Sequence, residues 1–158
     1  MRIVLILAMA LSTVAAAVAG PLEDWRAAKA ARARDDYVTA LRLYRSAAEQ
    51  GSVEAQIELG EIYFRGQMRV PYDYAEATKW MLRAAEQGHA ISQRNVGMAY
   101  TFGQGVPKNP VVGLMWLNLS VANGYQRAAE DRDAAAKDMT PAQVAEAKKL
   151  ADAWKPKR

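Results

Sequence analysis

Three groups of residues in this chain have types and spacings that chemistry can use. Gly103-Gln104-Gly105 is a short glycine-rich turn of the kind that cradles a phosphate. A phosphate loop also needs the Lys-Ser/Thr pair that grips the nucleotide, and a dinucleotide loop needs a preceding strand and a third glycine. Neither accompanies this turn, so it reads as a sharp connection between helices. Glu54, Glu58 and Glu61 crowd one segment, and paired carboxylates do acid–base work when burial separates their pKa values. Helical turns separate these three along a polar arc, which makes a solvated face the ordinary reading. His89 is the one histidine and cysteine is absent, so neither a His-pair metal site nor a Cys–His dyad can be assembled. It follows Gly88 at the start of a helical segment, a capping position. No serine sits in a nucleophile elbow, and the Asn118-Leu119-Ser120 triplet of glycosylation type lies inside a helical segment. The sequence assigns no catalytic residue, no cofactor site and no metal site.

The elements that carry these residues are repeated. Ala47-Ala48-Glu49-Gln50-Gly51 recurs as Ala84-Ala85-Glu86-Gln87-Gly88 and, more loosely, as Ser120-Val121-Ala122-Asn123-Gly124. Leu59-Gly60-x-x-Tyr63-x-x-Gly66 matches Val96-Gly97-x-x-Tyr100-x-x-Gly103, and Trp80 matches Trp116. The order and spacing of these coincidences mark an internal repeat, approximately 52–87 and then 89–123. Each copy reads as a helical hairpin: residues 53–65 with 74–87, then 90–102 with 111–123. Ala55, Leu59, Ile62 and Tyr63 form the apolar stripe of the first, and Ala77, Trp80, Met81, Ala84 and Ala85 that of its partner. An earlier, less regular hairpin spans 22–33 and 37–50. A helix over 126–137 follows the repeats, and a last one, opened by the capping box Thr140-Pro141-x-Gln143, runs to about 154. Nothing after residue 20 alternates like a strand. Gly60 and Gly97 occupy one register inside helices, where glycine costs about 1 kcal/mol relative to alanine, which implies close packing of helix on helix. The two tryptophans in repeat register are expected in the core, with Trp25 and Trp154 capping the ends.

These motifs resemble the Sel1-like repeat family, relatives of the tetratricopeptide repeats: the Ala-Ala-x-x-Gly helix ends, Leu/Val-Gly-x-x-Tyr, Gly103-Gln104-Gly105-Val106-Pro107, Trp80 and Trp116. The segments 115–119 and 139–143 also look like the closing part of many bacterial members. The resemblance covers roughly residues 36–154. Met68-Arg69 stands where the first copy would have its second loop glycine, and Gly113 replaces an expected helix alanine. The resemblance implies an all-α fold, a right-handed α-solenoid of antiparallel helical hairpins, and a scaffold that binds proteins without shared catalytic residues. In such solenoids the face opposite Leu59 and Val96 lines the concave groove. Here that face carries Glu54, Ile57, Glu61 and Phe64 in one repeat and Ile91, Arg94, Met98 and Thr101 in the next. Their mixture of apolar and charged side chains suits a protein ligand; the competing reading is that the apolar members pack between repeats.

Compartment and partner class follow from the ends and the charge. Met1-Arg2, an unbroken apolar run over 3–10 and the small residues Ala17 and Ala19 read as a secretory signal peptide cut after Ala19. Ser12 and Thr13 break the apolar run short of the ~20 residues a span needs, so no membrane span is expected after cleavage. A periplasmic or secreted protein without cysteine must rely on packing rather than disulfides. The formal net charge of +4 is too mild for a nucleic-acid binder. Residues 20–154 are read as the repeat domain and 155–158 as a basic, disordered tail. The expected function is an exported adaptor that recognises another protein, in competition with a cell-wall-associated enzyme or a binder of envelope glycan or acidic polymer.

Overall fold

A computed structural model describes residues 20–157, so the signal segment read in residues 1–19 and the terminal Arg158 lie outside the described residues. Eight helices follow one another there: α1 (Pro21–Arg32), α2 (Tyr37–Glu49), α3 (Val53–Arg65), α4 (Tyr74–Glu86), α5 (Ala90–Phe102), α6 (Pro110–Ala122), α7 (Ala128–Lys137) and α8 (Pro141–Ala153). No strand occurs among the described residues.

The helix starts are fixed locally. Asp36, Ser52, Asp73, His89, Asn109 and Thr140 each turn a side-chain acceptor onto a backbone N–H of the first turn. Caps of the Ser, Thr, Asp and Asn type are each worth about 1 kcal/mol. Thr140 and Gln143 close the reciprocal capping box expected from the sequence.

Packing is sequential from α1 to α7, each helix lying against the next, and α8 then returns onto α6. One core cluster gathers Tyr44, Leu59, Ile62, Ala77 and Trp80. A second gathers Met81, Val96, Met115, Trp116 and Leu119. Gly60 and Gly97 sit at the tightest crossings: a Cβ on Gly60 would lie 2.8 Å from the Met81 side chain, and one on Gly97 2.8 Å from Leu117 Cγ. Gly113 has its explanation at the same crossing. Its Cβ would come within 2.9 Å of the Gly97 carbonyl and collide with the Thr101 hydroxyl, so α5 and α6 meet backbone to backbone where alanine does not fit.

Buried amides lock neighbouring hairpins together in register. Gln56 Nε2 donates to the Ala48 carbonyl at 3.0 Å, and Gln56 Oε1 accepts from Gln87 Nε2 at 2.9 Å. One repeat later Gln93 Nε2 donates to the Ala85 carbonyl at 3.2 Å and Gln93 Oε1 accepts from Asn123 Nδ2 at 2.8 Å. Each glutamine thus caps the end of the preceding helix and is itself held by the end of the following one. A buried amide so satisfied fixes the relative position of three helices, because losing any partner leaves a polar group without compensation.

Two expectations need correction. The carboxylates of α3 do not form one solvated arc, because Glu58 is ion-paired with Arg32 of α1 at 2.9 Å. The basic tail is not disordered over the described residues. The Lys157 backbone N–H donates to the Glu86 carbonyl at 2.7 Å, and its ammonium reaches the Glu86 carboxylate at 2.6 Å. The reason is geometric: α8 lies on α6, which brings the chain end to the free carbonyls at the end of α4, a site that favours positive charge.

His89 gives the fold a pH dependence. Its Nδ1 accepts from the Ser92 backbone N–H at 3.2 Å, which assigns the proton of the neutral ring to Nε2. Burial lowers its pKa below the ordinary 6.5, outweighing the nearby Glu54 carboxylate that works the other way. The unfolded chain therefore binds more protons than the folded one between the two pKa values, so stability is full above about pH 6.5 and declines as pH falls through the folded-state pKa. Melting temperatures measured from pH 7.5 to 5.5 are expected to fall in the wild type and to stay flat in His89→Asn, which keeps a capping acceptor without a titrating group. An unchanged slope in the variant refutes the assignment.

Candidate binding groove

Helices α3 and α5 both lie on α4, and the angle between them encloses a cavity of about 330 Å³. Its floor is apolar: Ala77 and Met81 of α4 with Val96 and Ala99 of α5. Glu61, Phe64 and Arg65 line it from α3, Arg94, Asn95 and Met98 from α5, and Gln104 from the following loop. The Thr78 hydroxyl donates to the Gln104 carbonyl at 3.1 Å, which pins that loop to α4 at the cavity edge.

Four of the eight residues read from sequence as a binding face meet here: Glu61, Phe64, Arg94 and Met98. The other four lie elsewhere. Glu54 is exposed at the start of α3, where its carboxylate accepts from the Ser52 hydroxyl at 3.0 Å. Ile57 is half-buried on α3 and Ile91 is exposed in the first turn of α5, both outside the cavity. Thr101 bonds back to the Gly97 carbonyl at 2.8 Å and borders a separate depression between α5 and α7, shared with Met98 and Phe102. Side chains seven residues apart on one helix stay on one face but lie about two turns apart, so the eight do not form one continuous patch.

Arg94 also reaches beyond the groove. Its Nε donates to Asp131 of α7 at 2.5 Å, with the two side chains 33% and 21% exposed, so its charge is answered from the C-terminal side rather than by the acids of α3. Removing Arg94 therefore disturbs the packing of α7, and it is unsuited to a binding test that must leave the fold intact.

Sequence periodicity missed the lip of the groove. Tyr72 lies in the connection ahead of α4 and Tyr74 is the first residue of that helix, before its apolar stripe begins. Phe64 and Tyr74 have ring centroids 5.5 Å apart, Tyr74 and Tyr72 5.9 Å. The three rings are 50%, 42% and 72% exposed in the order Phe64, Tyr74, Tyr72. The signal available was the Pro71-Tyr72-Asp73-Tyr74 run itself, aromatics flanking an N-cap that burial cannot reach. Among the described residues no group of three or more His, Cys, Asp or Glu could hold a metal ion.

Comparison with known proteins settles the family. Residues 29–52, 53–89 and 90–125 each match the Sel1 repeat. The chain belongs to the Sel1 repeat family. A similar solved structure is c5321, a protective antigen of uropathogenic Escherichia coli with an SLR fold, at 27% identity and a TM-score of 0.73 over 83% of this chain. Another is a Sel1 repeat protein from Oxalobacter formigenes, at 27% identity and a TM-score of 0.67 over 72% of this chain. The matches cover only 29% and 34% of those two proteins, respectively. No curated protein gives a significant match. The Sel1 assignment places α3 with α4 and α5 with α6 as two successive full repeats, so the groove lies at the boundary between them. Sel1 repeats commonly serve as protein–protein interaction modules, and among the described residues no helix is long and apolar enough to cross a membrane.

Proposed function

We propose that this chain is an exported adaptor that holds a partner protein of the cell envelope in the groove between α3 and α5. The observation that carries the reading is the combination of an apolar cavity with the exposed rings of Phe64, Tyr74 and Tyr72 at its edge. Contiguous exposed aromatic surface next to a pocket marks interaction sites, where a few buried aromatic or arginine anchors dominate affinity. Residues 1–19 have the composition of a signal peptide, which supports the compartment.

The test is a photo-crosslinking residue placed at Phe64 and, as a control, at the exposed Arg42 of α2, with the protein produced in its native envelope. A discrete protein adduct from position 64 and none from 42 supports the reading. Intact mass of the captured protein should correspond to residues 20–158. Adducts from both positions, or a mass that retains Met1, speak against it. Salt-sensitive co-sedimentation with purified sacculi, with no protein adduct, favours a glycan or polymer binder instead.

A further inference from the structure

The groove between α3 and α5 does not stand alone. The depression between α5 and α7 is a second cavity, of about 480 Å³, and the half-buried Met98 of α5 lines both. Pro110, Ala134, Ala135 and Met139 give it an apolar lining to match the floor of the groove. Each cavity also has an exposed phenylalanine in its lining, Phe64 in the first and Phe102 in the second.

The charges around the two cavities cancel. Glu61, Asp131 and Asp138 supply three carboxylates, and Arg65, Arg94 and Lys108 three cations. Arg94 lines the first cavity and Asp131 the second, and these two are paired with each other. That pair removes the one excess charge from each. What is left is Glu61 with Arg65, one helical turn apart, in the first cavity, and Asp138 with Lys108 in the second. A charged side chain entering either cavity meets its own sign as well as the opposite one, and gives up its water to do so. An apolar side chain is indifferent to that balance and gains by covering the apolar lining.

We infer that the partner presents two apolar side chains on one segment, the first seated in the groove between α3 and α5 and the second between α5 and α7, on either side of Met98. This rests on the groove being the protein-binding site. The helix between the two seats is about 10–12 Å across with its side chains, a distance covered by three or four residues of extended chain or about seven of helix.

A twelve-residue segment therefore reaches both seats in either conformation. The experiment pans a phage-displayed random dodecapeptide library on residues 20–158 and maps the recovered peptides with benzoylphenylalanine placed at position 64 or at position 102. The same peptides are expected to crosslink at both positions. Each should contain two apolar residues, and replacing either with alanine should weaken binding about tenfold. In Phe64→Ser one of these two replacements should lose its effect, and in Phe102→Ser the other, a crossed coupling that a merely structural role does not produce. Circular dichroism should show both variants folded, since both rings are exposed. Added salt, Glu61→Gln and Asp138→Asn should each change the affinity less than about twofold. Groove peptides that need only one apolar residue, that rely on a charged one, or that never crosslink at position 102 overturn the inference and leave the groove reading standing. Peptides that never crosslink at position 64, or a library that yields no binder, overturn both.

Discussion

Replacing Trp116 with alanine is expected to lower the unfolding free energy by about 3–5 kcal/mol, the usual result of emptying a buried aromatic site. Trp116 is 5% exposed and belongs to the cluster of Met81, Val96, Met115 and Leu119. It also meets Trp154 edge-on at a centroid distance of 5.9 Å, so the variant loses an aromatic contact that holds the end of α8. Trp80, 3% exposed in the other cluster, should behave alike with less effect on α8. A domain has only about 5–15 kcal/mol of stability in total, so thermal unfolding followed by circular dichroism should shift by many degrees in either variant. An unshifted curve would mean that the indoles are not core residues.

Gly105→Ala is expected to cost about 2–4 kcal/mol, from left-handed strain and overpacking together. Gly105 has φ +71°, and a Cβ there would overlap the Tyr74 carbonyl and lie 2.6 Å from the Ala75 nitrogen. The obstacle is the backbone at the start of α4, which cannot rotate aside as a side chain would. The affected contact joins the loop of one repeat to the helix of the previous one, at the edge of the groove. The variant should therefore lose stability and the partner's adduct at position 64 together. Wild-type melting in Gly105→Ala would show that the loop can lift off α4 without penalty.

The first copy of that loop keeps its first glycine, Gly66, and makes the rest of the turn without the second. Met68 and Arg69 adopt φ +55° and +61°, and the Met68 side chain is buried at 8% exposure. The sequence departure changed the loop itself and kept its closure, since the Asp73 N–H donates to the Tyr63 carbonyl as the Asn109 N–H does to the Tyr100 carbonyl, each at 2.8 Å. This is typical of what was legible beforehand. Helix bounds fell within one or two residues of expectation because Asp73, Asn109 and Thr140 cap locally, and local bonds are written in adjacent residues. The close approach at Gly60 and Gly97 was legible because the cost of glycine inside a helix demands a reason.

The residues that escaped are those whose partners lie outside the repeat pattern. Arg94 turned to Asp131 of α7, a helix beyond the two full repeats from which the face was read, so that face could not show the pairing. Gln56 and Gln93 were read as part of helices, and nothing in their spacing showed that each would reach two other helix ends. Tyr72 builds the lip from a connection, where helical periodicity has no meaning, and Tyr74 from the first residue of α4, before its apolar stripe begins. Half of the face read from sequence gathers around the cavity, because a stripe chosen by angle ignores position along the helix axis.

An array joined only between adjacent units melts inward from whichever end is weaker, each unit protecting the next. The bond from Lys157 to Glu86 connects positions 71 apart in sequence and passes over α6 to do so. The ammonium half of that bond is exposed and weak, and the backbone half adds a hydrogen bond to a carbonyl of the last turn of α4. Fraying of α8 then removes a partner from the last turn of α4, which couples second neighbours as well as first. Amide hydrogen exchange near the C-terminus should accordingly report the opening of the middle hairpin, and the terminal turn should be more protected than its position at the chain end suggests.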